Sequence, residues 1–99
     1  MRLQIHSIRF DADVKLLNFI QKRADKLDTF YERIIDGEVF LRLDKDNQME
    51  NKLVEIKLNI PGTQLFAKER AKSFEAASDN AISALKKQLT KYKEKKFVY

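Results

Sequence analysis

The segment from Val54 to Pro61-Gly62 constrains this chain most. Val54, Ile56, Leu58 and Ile60 alternate with Glu55, Lys57 and Asn59, and the run ends at Pro61-Gly62. A period of two puts the apolar side chains on one face of a strand and the polar ones on the other. The sheet containing it therefore has one face to cover and one that can meet water. Pro61-Gly62 suits a type II turn, with proline fixing φ at the first central position and glycine accepting positive φ at the second. Thr63 to Lys68 then reads as the returning strand.

Similar reasoning orders the rest. Leu3 and Ile5 alternate with Arg2, Gln4 and His6 as a first strand, and Val39, Leu41 and Leu43 alternate with Phe40 and Arg42 as a second. Ile35-Asp36-Gly37 interrupts the pattern, and Asp44 to Asn51 is polar and turn-like. Between the first two strands, Leu16, Ile20, Leu27 and Tyr31 recur at helical spacing, with Leu17, Ala24 and Phe30 beside them. This predicts a helix over about Val14 to Thr29, with Asp11 and Asp13 as N-cap candidates. After Ser73, a second N-cap candidate, Phe74, Ala77, Ala81, Leu85, Leu89 and Tyr92 form the apolar stripe of a longer helix. The predicted order is β-α-β-β-β-α, an α+β fold. The helical connection makes the first two strands parallel neighbours, and the short turns make the later ones antiparallel. Both helices must bury their stripes, so two helices pack on one face of a four-stranded sheet.

Composition narrows the chemistry. The 99 residues suit one domain and contain no cysteine and one histidine, His6. Disulfides, thiolate metal sites and Cys-His nucleophile pairs are excluded, and a reducing cytoplasm is the expected compartment. His6 on a strand reads as a surface or edge residue. Asp44 and Asp46 resemble the start of a calcium loop, but the glycine and closing glutamate spacing are absent. Gly37 and Gly62 cannot build a phosphate-cradling loop. No catalytic group, cofactor, metal or small-molecule substrate is expected, and no apolar run is long enough to cross a membrane.

The net charge is +5, and six lysines against Glu94 between Lys86 and Lys96 account for all of it. On the last helix Lys87, Lys91 and Lys95 recur every four residues, with Lys86 and Lys93 as a flanking row and Lys96 beyond. On the first helix Lys15, Lys22 and Lys26 share a face, next to Arg23. Helices packed side by side are expected to bring these rows together as a groove with cations on both walls, complementary to the phosphates of folded RNA. Lysine contacts phosphate without reading bases. The same lysines also suit a plain solvated face, and cations near a helix C-terminus are favoured by the helix dipole. Tyr92 could stack on a base or belong to the core; Phe97 and Tyr99 could pack back, stack on RNA or fray. Phe40 and Phe66 fall on the open sheet face, where packing is preferred to RNA stacking because no accompanying Lys/Arg-Gly-Phe motif is present.

Three stretches carry a family resemblance: Lys26-Leu27-Asp28-Thr29-Phe30-Tyr31-Glu32-Arg33-Ile34; Leu65-Phe66-Ala67 followed by Phe74-Glu75-Ala76-Ala77-Ser78-Asp79; and Leu85 through Lys95. Together, in this order and spacing, they resemble the ribosome hibernation promoting factor family, also called protein Y or ribosome-associated inhibitor A. The resemblance implies binding in the decoding channel of the small ribosomal subunit, over the path of mRNA and tRNA. It implies rRNA contacts from Lys22, Arg23, Lys26, Lys86, Lys87, Lys91 and Lys93, with Lys95 and Lys96 as extensions. The chain departs from the family pattern at Lys72-Ser73, where relatives often have aspartate before the last helix, at Glu75, where many have tyrosine, and at Tyr92, where many have histidine. Long members carry a second, dimerising domain. The chain resembles the short form: one ribosome-binding domain over residues 1–99, monomeric when free. A general double-stranded-RNA-binding module is the competing expectation. A membrane-surface role is disfavoured because the alanine-rich stripe of the last helix is needed for the core.

Overall fold

A computed structural model describes residues 1–45 and 49–97, with side chains up to residue 95. The elements are β1 (Arg2–Ser7), α1 (Val14–Phe30), β2 (Asp36–Leu43), β3 (Lys52–Ile60), β4 (Thr63–Ala71) and α2 (Phe74–Phe97). The strands lie side by side in chain order, with β1–β2 parallel and the other two pairs antiparallel. This is the expected β-α-β-β-β-α arrangement, with both helices on one sheet face.

The local signals act as their chemistry demands. Asp13 caps α1, its carboxylate accepting from the Leu16 amide at 2.8 Å. Ser73 caps α2, its hydroxyl accepting from the Ala76 amide at 3.1 Å. Gly62 adopts φ 87° between the paired Ile60 and Thr63, as a type II turn requires at its second central residue.

The core joins Leu16, Ile20 and Leu27 of α1 to Val39, Leu41, Val54, Ile56 and Leu58 of the sheet and to Ala77, Ala81, Leu85 and Leu89 of α2. Small residues on both sides, Ala67 and Ala71 of β4 and Ala77 and Ala81 of α2, are buried, and they let the α2 backbone ride close over β3 and β4. Gln88, on the flank of α2, donates to the Phe66 carbonyl at 2.8 Å and so satisfies one polar group of edge strand β4.

Three strands run longer than their alternation suggests, β3 by starting at Lys52 rather than Val54. β4 continues from Lys68 through Ala71, held by the Lys52–Ala71 pair. β2 begins at Asp36, with Gly37 inside the strand rather than in the preceding break. A Cβ on Gly37 would lie 2.9 Å from Leu3 Cδ1 and 3.0 Å from Leu58 Cδ2. The glycine is a site where neighbouring leucines fill the space of a side chain.

The Met1 amine is bonded to the Asp28 and Asp25 carboxylates of α1, tying the start of β1 to the helix. The Asp28 hydrogen bond chiefly raises its pKa above the ordinary value of 8.0, burial working against this and Asp25 adding to it. A group whose pKa rises on folding contributes stability that is complete below its unfolded pKa and is lost as pH climbs through the folded one. The thermal midpoint is therefore expected to decline as pH rises beyond 8, with a flatter profile in Asp28→Asn, as thermal melts across that range will show.

Candidate nucleic-acid interface

The outer surface of the two helices carries most of the residues singled out by charge. α1 and α2 pack against each other and leave between them a cleft of about 450 Å³. Arg23 and Lys26 line it from α1, Lys86 and Asp79 from α2, with Phe30 and Ile82 as apolar lining. Cations from both helices thus meet in one concavity.

Aromatic rings hold several of these cations. The Lys86 ammonium lies 5.0 Å from the Phe30 ring centroid and that of Lys93 4.7 Å. Lys93 also donates to the Phe30 carbonyl at 3.3 Å. The Arg23 guanidinium stacks 4.8 Å above Phe19. Each contact draws a flexible cation toward a fixed ring by the attraction of its quadrupole, with some loss of side-chain freedom already incurred before any ligand arrives.

The lysine rows meet differently from the expectation. The flanking row, Lys86 and Lys93, faces α1. Lys87, Lys91 and Lys95 are exposed and do not line the cleft. The reason is angular. Lys86 turns to Phe30 on α1 and Gln88 turns to β4, so position 87, between them at 100° per residue, points away from the sheet. Lys91 and Lys95 follow at successive turns. Lys22 is exposed on the outer side of α1. The basic surface is a convex ridge joined to a cleft, rather than a groove lined by every lysine. The Lys96 side chain, and the packing of Phe97 and Tyr99, lie outside the described residues.

Asp79 was missed by charge reasoning. Its Oδ1 lies 3.4 Å from Arg23 Nε, an ion pair across the two helices, with both side chains more than two-fifths exposed. An exposed pair of this kind adds little stability, but it offsets one positive charge inside the cleft. Asp79→Asn is expected to raise affinity for RNA several-fold and to change the melting temperature little; filter binding and calorimetry will read the two quantities. Asp79 stands two turns before Lys86 in the sequence, but its partner across the cleft was not visible there.

Tyr92 takes the core-edge place. Its hydroxyl donates to the Pro61 carbonyl at 3.1 Å and its ring meets Tyr31 edge-on at 6.4 Å. On the open sheet face His6 stacks on Phe40 at 4.9 Å and its Nε2 lies 3.1 Å from Glu38, while Phe66 is exposed. Asp44 pairs with Arg70 at 3.0 Å, and Asp46 lies outside the described residues. Among the described residues no helix is long and apolar enough to cross a membrane.

Known proteins share this framework. The chain is 32% identical over 91 residues to a ribosome hibernation promotion factor of Deinococcus radiodurans, spanning 91% of this chain and about half, 48%, of that relative's length. It is 27% identical over 95 residues to the ribosome hibernation promoting factor of Klebsiella oxytoca, covering 96% of each. A ribosomal subunit interface protein from Coxiella burnetii superposes with a TM-score of 0.84 at 20% identity, covering 95% of this chain and 99% of that one. The N-terminal domain of Thermus thermophilus Protein Y does so with a TM-score of 0.81 at 19% identity, covering 93% and 99%. At these identities the superpositions speak for the fold. Residues 3–96 match the family described as Sigma 54 modulation protein / S30EA ribosomal protein, and with nearly the whole chain matched, this protein belongs to that family.

Proposed function

We propose that this chain is a cytoplasmic hibernation factor that binds the small ribosomal subunit in its decoding channel and excludes mRNA and tRNA by occupying their path. It performs no chemistry; its action is steric, and its affinity comes from phosphate contacts. The observation that carries this reading is the convergence of Arg23, Lys26 and Lys86 from two helices on one cleft, continued by the exposed Lys87, Lys91 and Lys95 along α2. Contacts of this kind position a protein on folded RNA without reading its sequence. The names of the Deinococcus and Klebsiella relatives support the assignment to ribosomes.

Co-sedimentation with purified small subunits, with competitors added, tests it. Pre-bound mRNA and tRNA are expected to block binding, whereas excess free RNA duplex is expected to compete poorly. Easy displacement by free duplex, with no effect of mRNA and tRNA, would instead identify a general duplex-binding module.

A further inference from the structure

A second cationic concavity lies at the opposite end of the molecule from the α2 C-terminus. β1 stops at Ser7, paired with Leu41, while β2 continues through Arg42 and Leu43. The chain turns away at Ile8–Phe10 and leaves a notch beside the end of β2. The notch has a volume of about 430 Å³ and is lined by Ile8, Arg9, Arg42, Leu43 and Lys45. Among the described residues that line it three are cations and none is an acid.

Three further features set this notch apart from an ordinary basic patch. Arg9 sits at φ 66°, a left-handed conformation that glycine and asparagine adopt far more readily than a long side chain. The chain thus places a cation at a backbone position that disfavours it. Arg42 Nε is buried and makes no hydrogen bond, although Glu55 Oε1 lies 3.4 Å away. Among the described residues Asp44 is paired with Arg70 at 3.0 Å, and Glu55 offsets part of the Arg42 charge but leaves Arg9 and Lys45 uncompensated by any ion pair. The Arg42 guanidinium also lies 5.9 Å from the Phe40 ring, so its plane is held while donors remain for an oxyanion.

We propose that this notch is a phosphate-binding subsite that takes one or two phosphodiesters of an RNA backbone through Arg9, Arg42 and Lys45. Its distance from the α2 cluster fits a separate contact. Phe74, at the notch end of the sheet, and Tyr92 are separated by roughly 27 Å of helix at 1.5 Å per residue. One strand segment could reach both only by running the length of the domain, so the two sites hold different parts of a folded RNA. This occupant rests on the ribosomal reading above; the capacity of the notch for phosphate does not.

Two measurements decide it. In ¹⁵N NMR spectra, inorganic phosphate is expected to produce saturable shifts at the Arg9 and Lys45 amides and at Arg42 Nε–H. These are expected to vanish in the double variant Arg9→Asn/Lys45→Gln, which removes two charges while asparagine keeps the left-handed turn. Its melting temperature, unchanged or raised, reports intact folding. Shifts that never saturate, or that persist in the variant, overturn the subsite. In small-subunit binding, the double variant is expected to lose about tenfold in affinity near 0.15 M salt, and its slope of log affinity against log salt is expected to flatten by about 1.5. An unchanged slope alongside saturable phosphate binding overturns the RNA backbone as occupant and identifies a free phosphate or nucleotide instead. Absence of ribosome binding by the unaltered chain refutes the ribosomal reading and with it this occupant, while the phosphate titration independently decides the notch.

Discussion

Replacing Lys26, Lys87 and Lys91 together by glutamine is expected to weaken binding to small ribosomal subunits about a hundredfold near 0.15 M salt. The three are exposed, and they sample the cleft and the first two positions of the ridge. Each phosphate neutralised contributes a slope of about −0.7 to −0.9 in log affinity against log salt, so losing three contacts flattens that slope by roughly 2 to 3. The melting temperature should hold within about 2 °C, because exposed lysines contribute little to stability. Lys93 is deliberately left in place. Its ammonium bonds the Phe30 carbonyl and covers the Phe30 ring, so its loss would mix a packing effect with an electrostatic one. Salt titrations by co-sedimentation, alongside calorimetry, separate the two. Wild-type affinity in the triple variant would remove the helix surface from the mechanism.

Gly37→Val is expected to destabilise the fold by about 3 kcal/mol. At 4–8 °C per kcal/mol for a domain of this size, the thermal midpoint falls by roughly 12–24 °C. The new Cβ would meet Leu3 Cδ1 at 2.9 Å, Leu58 Cδ2 at 3.0 Å and the Lys57 backbone oxygen at 3.2 Å, before its two further methyl groups are considered. The leucine tips can move, but the carbonyl belongs to the β2–β3 ladder and cannot. Valine otherwise favours strands, so a propensity argument predicts the opposite sign. Chemical denaturation of the two proteins decides between them.

That conflict shows where sequence reasoning ends. The β3 alternation, the Pro61-Gly62 turn, the Asp13 and Ser73 caps and the stripes of α1 and α2 are local patterns, and each sits where its pattern requires. Gly37 looked like punctuation because a glycine in a strand and a glycine in a turn are identical until the opposing side chains are known. β4 past Lys68 was obscured for a related reason: Glu69 and Arg70 carry no apolar alternation, and the register with β3 extends the strand. Among the charged residues, periodicity grouped the lysines correctly by face. It did not show which face met α1, because that depends on how α2 is rotated over the sheet by Ala77, Ala81, Leu85 and Leu89. Arg9 and Arg42 are far apart in sequence, and only the early end of β1 brings them together.

The clasp of Tyr92 on Pro61 has a geometric consequence. It fixes α2 where the sheet ends, at the β3–β4 turn, and the helix continues through Phe97 beyond that point. The molecule is 47 Å long and 24 × 18 Å across. Past the clasp Lys93 still rests on Phe30 while Lys95 is exposed, so α2 carries cations on two of its sides beyond the end of the sheet, where they can reach an opening that the sheet does not enter.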